Sequence, residues 1–372
     1  MIEKVKNLLL NARGYKSDKK LIVIESDDWG SVRMPSKQSY LNLLGAGIRV
    51  DKCGYNSFDN LETEDDMNAL LENFNSIKTP TGKRPVLTAN TIVANPDYDA
   101  IKIDSFQKYS YETFQTSYLR YQGNTATLNI IKEGIKENLY YPQLHGREHI
   151  YLNNWMKALQ NDHKETKIAF HNNVYGLSTT ITKDVRKSYL TALDFDSVDE
   201  ILDHEKVLNE ASNIFHSSFG FNSETFIPPN YTWHPLHEPI FQKMGIKYIQ
   251  GARAQKSPSV QGYKTIKHFM GKKSNIGLFY SIRNSAFEPS TKKNIDWRKK
   301  IIGEAKAAFL LKAPLIISTH RVNFMGGMVE SNRTDNLKLF KSILIDLIRI
   351  FPEVEFISSA ELGRRMAQNS IL

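Results

Sequence analysis

The sequence lacks the features that mark disulfide-stabilised, secreted or membrane-spanning proteins. Cysteine occurs once in 372 residues, at Cys53, which excludes an intramolecular disulfide framework and any Cys-x-x-Cys metal site. No stretch reaches the about 18 apolar residues of a membrane span. The leucine run at 8–10 is too short for a secretory signal. These absences favour a cytoplasmic protein.

The chain is basic but shows no signature of nucleic-acid binding. Its net charge is +9. The basic residues are scattered, often beside acidic ones, and there is no arginine-rich tract, zinc finger or RNA-recognition motif. We therefore expect no nucleic-acid partner. The positive charge suits a phosphate-bearing substrate or peripheral association with an anionic membrane surface.

Short apolar runs alternate along the chain with segments of helical periodicity. A strand is predicted at 86–93 and a helix over 62–74, where apolar residues recur at helical spacing. Roughly eight such strands alternate with helices, which predicts parallel βα units that close on themselves. Residues 95–125 show no clear periodicity and are interpreted as an inserted excursion. With no internal repeat or convincing linker, residues 1–372 are predicted to form a single α/β domain.

The most informative segment is an apolar strand followed at once by acidic residues. Residues 21–24 read Leu-Ile-Val-Ile, which predicts a buried parallel strand, and Glu25, Asp27 and Asp28 follow it. The carboxyl ends of parallel strands are where α/β folds place their chemistry. Because neighbouring strand residues point to opposite faces, both aspartates can enter one site only if the pleat is broken there.

Two histidines four residues apart follow another apolar run. If a helix begins at or near His145, then His145 and His149 share one helix face and can bind one metal ion, and Gly146 frees the backbone beside them. Asp28 could supply the oxygen ligand that a two-histidine site lacks. The same five residues match the His-x-x-Glu-His signature of inverted zinc proteases. That signature needs a long helix, whereas the residues before it read as a strand and a turn.

Two further side chains could transfer protons beside such a metal. Asp27 could act as the base towards an attacking water, because a bound metal lowers the pKa of that water to near neutrality. His320 ends an apolar run at 314–320 and could protonate the leaving group. The set as a whole predicts a hydrolytic metal site with coordination positions open to water and substrate.

In their order and strand contexts, these segments resemble the motifs of the polysaccharide deacetylase family, the NodB-homology group also called carbohydrate esterase family four. Its first, second and fifth motifs are matched by Glu-Ser-Asp-Asp-Trp-Gly at 25–30, His-Gly-Arg-Glu-His at 145–149 and Ile-Ser-Thr-His at 317–320. Partial matches to its third and fourth motifs occur at 226–231 and 294–297. The resemblance spans residues 21–320, most of the chain.

The resemblance implies a distorted (β/α) barrel of about seven or eight parallel strands with loop insertions. It also implies a zinc-dependent deacetylase, a hydrolase that removes an acyl group, typically N-acetyl, from a sugar by cleaving a carbon–nitrogen bond other than a peptide bond. By this resemblance Asp28, His145 and His149 bind Zn2+, or another divalent transition metal such as Co2+ or Ni2+. Asp27 is then the base and His320 the acid.

The third motif departs from the family pattern at one position. Where the family has an arginine that orients the base, this chain has Ile227. We hypothesise that Arg283, Arg147 or Arg321 supplies the missing guanidinium. The loss also leaves open a second interpretation, a non-catalytic carbohydrate-binding protein of the same fold. A zinc metalloprotease is a more distant alternative.

Aromatic and polar residues in the same segments are candidates for substrate contact. Stacking on a sugar ring is expected of Trp29, Tyr231 and Trp233, and polar contact of Asn230, Arg283 and Arg321. Because no secretory signal is evident, the substrate is expected to be made inside the cell. The natural candidate is a nucleotide- or lipid-linked sugar used in surface polysaccharide, lipopolysaccharide or O-antigen-type biosynthesis.

Overall fold

A parallel sheet organises the chain in this computed structural model, which describes residues 2–177 and 188–369. The strands in those ranges are β1 (Leu21–Trp29), β2 (Leu87–Ile92), β3 (Ala94–Pro96), β4 (Tyr111–Thr113), β5 (Tyr140–Gly146), β6 (Thr225–Phe226), β7 (Tyr248–Gly251), β8 (Ala254–Ser259), β9 (Gly262–Lys267), β10 (Phe279–Ile282), β11 (Ser285–Phe287), β12 (Leu315–His320) and β13 (Glu355–Phe356). The main sheet has the order β10-β7-β6-β5-β2-β1-β12-β11, with β13 paired to the start of β1. All of its pairings are parallel.

Helices connect the strands. In the described ranges they span Ile2–Asn11, Lys37–Gly45, Gly54–Phe58, Glu64–Asn75, Tyr98–Ile103, Phe114–Gln122, Ala126–Lys136, Leu152–Gln160, Lys164–Phe170, Glu200–Phe219, Glu238–Lys243, Trp297–Leu310, Glu330–Ile350 and Ser359–Gln368, with short 3-10 turns at Val50–Lys52, Pro229–Tyr231, Pro235–His237 and Arg321–Phe324. None of these helices combines the length and apolar character needed to cross a membrane. Parallel strands surrounded by helices confirm the predicted α/β fold class, a distorted (β/α) barrel.

One extended segment joins the two ends of the sheet. Residues 279–287 pair with β7 through β10 and with β12 through β11. Between them, the Asn284 side chain completes the pairing with β12: its Nδ2 donates to the carbonyl oxygen of Pro314 at 2.7 Å, and its Oδ1 accepts from the Ile316 N–H at 2.7 Å. A side-chain amide thus substitutes for a peptide group at the point where the segment changes partners.

The interior is built from the apolar residues that the sequence places on both faces of the central strands. Leu21–Ile24 have no exposed surface, as expected for a parallel strand covered on both sides. The predicted helix over 62–74 is observed as Glu64–Asn75. It begins with a capping box in which Thr63 and Asp66 each accept a hydrogen bond from the other's backbone N–H.

Residues 95–125 lie between β2 and β5 and add no strand to the main sheet, but they contain regular structure that the sequence did not reveal. That region contains the small antiparallel pair β3–β4 and the helices Tyr98–Ile103 and Phe114–Gln122. These elements have three to nine residues, which is too short for a hydrophobic period to emerge from the sequence.

Candidate active site

The candidate residues converge at the carboxyl end of the sheet. Asp27 and Asp28 lie at the end of β1, His145 near the end of β5 and His320 at the end of β12, where it is the register partner of Asp27. Arg283 follows β10. Because the carboxyl ends of parallel strands share one edge, the sheet brings together residues that are far apart in the sequence.

Asp28, His145 and His149 form a cluster able to hold a metal ion. Their ligand atoms all lie within 4.8 Å of one another. His145 Nε2 is 3.4 Å and His149 Nε2 is 3.8 Å from Asp28 Oδ1, and all three residues are buried. Two imidazoles and one carboxylate are a ligand set that divalent transition metals accept, and three protein ligands leave further positions open.

A backbone irregularity in β1 directs both aspartates into the site. Asp28 has a φ of 75°, in the left-handed region. The pairing of β1 with β2 shifts register between Ser26 and Trp29, which is the behaviour of a bulge. This is the break in the pleat that the adjacent Asp27 and Asp28 were predicted to require.

The second histidine reaches the cluster through a turn. The strand β5 continues through His145 to Gly146, whose φ is 138°, and His149 lies in the turn that follows. A helix at His145, which was the condition for a shared helix face, is therefore not formed, and the two histidines meet through a strand end and a turn. A glycine is required here because a residue with a Cβ adopts this φ only with strain. The long helix required by the protease signature is absent from this described segment.

The protonation states of the cluster suit a metal. His145 Nδ1 lies 2.7 Å from the carbonyl oxygen of Ile227 and donates to it, which leaves Nε2 as the ring nitrogen that faces Asp28. Burial lowers the pKa of His149 to about 4, which leaves a neutral imidazole. Burial would raise the pKa of Asp28, but the hydrogen bond from His145 and the nearby histidine charges hold it well below its usual range. The site thus offers one carboxylate and two imidazole nitrogens, which fits a divalent ion.

Arg283 holds Asp27 in a two-pronged contact. Arg283 Nη1 donates to Asp27 Oδ2 at 2.6 Å, and Nη2 donates to Oδ1 at 2.7 Å. Asn90 also donates to Asp27 Oδ1, at 2.7 Å. Burial would raise the pKa of Asp27, but the Arg283 charge holds it well below its usual range. Of the three arginines considered, Arg283 is the one that meets Asp27, in place of the arginine expected at position 227.

Glu25 accepts a hydrogen bond from the same guanidinium that contacts Asp27. Arg283 Nε donates to Glu25 Oε2 at 2.7 Å, and Ser359 Oγ donates to Glu25 Oε1 at 2.7 Å. Glu25 has no exposed surface, and its burial raises its pKa. One cation therefore bridges two buried carboxylates, with help from the first residue of the last helix.

The other two arginines serve different carboxylates. The ion pairs are Arg147 with Glu148 and Glu210, and Arg321 with Asp59 and Glu62. Arg321 has no exposed surface, so its position argues against the predicted contact with substrate. Its guanidinium has a structural task, which is to neutralise carboxylates inside the fold.

His320 lies between Asp27 and Glu288. Its Nδ1 is 2.6 Å from Glu288 Oε1, and its Nε2 is 3.7 Å from Asp27 Oδ2. Burial would lower the pKa of His320, but Glu288 and the two aspartates raise it to about 10. The imidazole is therefore protonated at neutral pH. Because Nδ1 is bonded to Glu288, the proton available to the site is the one on Nε2.

The two candidate tryptophans lie in the interior. Trp29 has no exposed surface, and its indole N–H donates to Ser26 Oγ at 3.0 Å. Trp233 is 1% exposed and stacks on His268. These positions argue against the predicted stacking of either ring on a sugar. The Trp29 side chain is buried because it belongs to β1, which is covered on both faces along its whole length.

Asn230 and Tyr231 lie at the rim. Asn230 is exposed and Tyr231 is half-buried, and both adopt left-handed backbone conformations, with φ of 55° and 54°. The Tyr231 hydroxyl accepts a hydrogen bond from Arg283 Nη1 at 3.2 Å. Their contact with substrate remains a prediction, supported by this proximity to Arg283.

Glu25, Glu288 and Asn90 belong to the site but were not among the residues predicted for it. Glu25 directly follows the apolar run at 21–24, a signal that was available in the sequence, whereas Asn90 lies within the strand predicted at 86–93. Glu288 follows the short strand β11, which no pattern indicated. The partner of each charge depends on strand order, which a hydrophobic pattern does not specify.

Comparisons with known proteins give distant structural likenesses. No family model and no curated protein sequence matches the chain. Among solved structures, it is similar over 96% of its length to a Mycobacterium smegmatis protein provisionally described as a polysaccharide deacetylase, with 10% identity, 94% of that chain covered and a TM-score of 0.44. It is also similar over 95% of its length to a peptidoglycan deacetylase of Bacillus subtilis, with 11% identity, 94% of that chain covered and a TM-score of 0.34. A third similar structure is the 4-alpha-glucanotransferase of Thermococcus litoralis. It matches 93% of this chain with 8% identity and a TM-score of 0.44, and 40% of that chain is covered. Polysaccharide deacetylases are thus among its structural neighbours, but at these values the likeness supports no conclusion about activity.

Proposed function

We propose that this chain is a metal-dependent hydrolase that removes an acyl group, N-acetyl in the first instance, from a sugar. One observation carries the proposal. The cluster of Asp28, His145 and His149 shares an edge of the sheet with an oriented carboxylate, Asp27, and a protonated imidazole, His320. A metal site, a base and an acid are the parts that amide hydrolysis needs.

The side chains divide the work as follows. A divalent ion held by Asp28 and the two histidines would polarise the acyl carbonyl and acidify the attacking water. Asp27 accepts the proton of that water at Oδ2; its low pKa makes it a weak base, which suffices when the water is acidified. His320 donates its Nε2 proton to the leaving nitrogen. A carbon–oxygen bond forms, the carbon–nitrogen bond breaks, and a carboxylic acid and a free amine result.

Arg283 acts in this scheme as a positioning residue. Its two short hydrogen bonds to Asp27 fix the plane of the carboxylate, and a bidentate guanidinium is the contact that does this best. The contact also weakens the case for the non-catalytic alternative. That alternative rested on the loss of the arginine at position 227, and Arg283 contacts Asp27 in its place. The protease alternative loses its support with the missing helix at His145.

The finer assignments are part of the same proposal. Zinc suits a two-histidine, one-carboxylate site, and Co2+ or Ni2+ would take the same ligands. A nucleotide- or lipid-linked sugar in the cytoplasm, used in surface polysaccharide biosynthesis, suits the net charge of +9.

Release of acetate tests the proposal. The full chain, loaded in turn with Zn2+, Co2+ and Ni2+, is incubated with N-acetylated sugars in free, nucleotide-linked and lipid-linked form. We expect release that a chelator abolishes and that Asp28→Asn lowers by about 10²-fold or more. Asp18→Asn is the matched control, since the Asp18 side chain is 89% exposed. No bound metal, or no acyl release with any of the three ions, overturns the proposal.

A further inference from the structure

Arg33 is a buried arginine without an anionic partner. It is 6% exposed, and the described residues offer it neither an ion pair nor a hydrogen bond. Its Nε is fully enclosed and unpartnered. By contrast, Arg283 and Arg321 each bridge two carboxylates. An unpaired buried charge destabilises a fold by several kcal/mol in order of magnitude, so a guanidinium kept in this state calls for a functional explanation.

The surroundings hold the guanidinium in place without a direct ion pair. Burial would lower the pKa of Arg33, but nearby groups, Asp28 and Asp59 among them, raise it. The Arg33 guanidinium carbon lies 5.5 Å from the centre of the Tyr55 ring. On another side it packs against the backbone of Gly176, where a Cβ would come within 2.6 Å of Nε. An aromatic face and a bare glycine backbone orient a planar cation, and neither is an anionic partner for it.

Arg33 belongs to the edge of the sheet that carries the candidate site. It follows β1 by four residues. The Tyr55 ring that it faces lies 5.2 Å, centre to centre, from the His320 ring and nearly perpendicular to it. Its charge also contributes to the lowered pKa of His149. Tyr55 thus separates the unpaired guanidinium from the acid of the proposed reaction.

We propose that Arg33 binds an oxyanion, a carboxylate or a phosphate, carried by the acylated sugar that this site hydrolyses. The inference rests on the proposed function and names a feature of its substrate. Guanidinium matches the geometry of both oxyanions with two parallel hydrogen bonds. Binding of the anion supplies the ion-pair partner that no described residue offers to Arg33.

Three substrates that differ in one group test the inference. They are a neutral N-acetylated sugar, the same sugar bearing a carboxylate, and the same sugar bearing a phosphate. We expect the metal-loaded protein to prefer one of the two anionic forms by at least about 10-fold in kcat/KM, a factor typical of one charge-assisted contact. Arg33→Gln should abolish that preference, mainly through KM. The anionic form that is preferred distinguishes a carboxylate from a phosphate.

A binding measurement separates this inference from the proposed function. Calorimetry with the sugar phosphate and the sugar carboxylate requires no turnover. If no sugar is deacylated but one anionic sugar binds the wild type and loses affinity in Arg33→Gln, the proposed reaction fails while Arg33 keeps its assignment. Equal binding by both proteins, or an equal loss of activity on all three substrates, overturns the inference. Arg33→Lys keeps the positive charge but loses the planar guanidinium with its two parallel N–H donors. It should retain part of the preference for the anionic sugar, which checks that a loss in Arg33→Gln is not a folding defect.

Discussion

Replacing Arg283 by methionine should expose how much this fold depends on one guanidinium. The change removes three hydrogen bonds of 2.6–2.7 Å and leaves Glu25 and Asp27 buried without a cation. Breaking a buried ion pair from one side typically destabilises by about 3–5 kcal/mol. Two carboxylates are affected, but Asn90 and Ser359 still donate to them. We therefore expect a loss of about 3–5 kcal/mol at pH 7 and not twice that.

The stability deficit of Arg283→Met should depend on pH, and the pKa of Asp27 sets the direction of that dependence. In the wild type the pKa of Asp27 is lowered, so its contribution to stability is present above the unfolded pKa of about 3.9 and is lost as the pH falls below it. Without Arg283 that pKa rises, because burial is no longer opposed. Protonation then relieves the buried charge, and the deficit of the variant should narrow as the pH falls from 7 to 5.

Denaturant unfolding at the two pH values measures both effects. Arg321→Met is the matched control, because Arg321 is also buried and bridges two carboxylates, Asp59 and Glu62, away from Asp27. Both variants should lose similar stability, but only Arg283→Met should also lower acetate release by 10²-fold or so when both are assayed fully folded. A deficit below about 1 kcal/mol, or one that does not change with pH, would refute the reasoning.

Three further outcomes are expected. Glu288→Gln removes the anion that helps raise the pKa of His320 to about 10; since the acid must be protonated, the alkaline limb of the pH–rate profile should move to lower pH. Zn2+ at one hundred times its Kd should stabilise the wild type by about 2.7 kcal/mol in denaturant unfolding, and should not do so in Asp28→Asn. Asn284→Ala leaves the Pro314 carbonyl and the Ile316 N–H without their side-chain partner and should destabilise by about 1–3 kcal/mol for each group that water cannot reach.

Each of these has an opposing result. An unmoved alkaline limb in Glu288→Gln would mean that His320 is not the group that titrates. Equal stabilisation by zinc in wild type and Asp28→Asn would place the metal elsewhere. A fully stable Asn284→Ala protein would show that the junction between β10 and β11 does not need its side-chain amide.

The sequence was most informative where an apolar run ends in a polar residue. Residues 21–24 and 314–320 were recognisable as buried strands, and parallel strands end at a common edge. That alone was enough to expect Asp27 and Asp28 near His320. The need for a broken pleat at the aspartate pair also followed from strand geometry, and Asp28 shows the break.

Features that depend on the assembled sheet could not be read in the same way. The choice of Arg283 over Arg147 and Arg321 is set by closure of the barrel through residues 279–287, which no local pattern encodes. Trp29 was expected to stack on a sugar ring, but β1 runs through it and is covered on both faces. His149 lies in a turn, although a spacing of four residues is also compatible with a helix. The spacing therefore indicated which residues meet, but not the backbone conformation that brings them together.

The shared contacts of Glu25 have a consequence for how the protein emerges from the ribosome. Ser359 lies 334 positions after Glu25, and Arg283 lies 258 positions after it. At translation rates of about 5–20 residues per second, on the order of 20–70 s pass between synthesis of Glu25 and synthesis of Ser359. During that interval β1 cannot be buried as it is in the finished protein without an uncompensated carboxylate. A nascent chain stalled before residue 283 should therefore leave its first strand accessible to chaperones and proteases, and the candidate site should form only after Ser359 has been made.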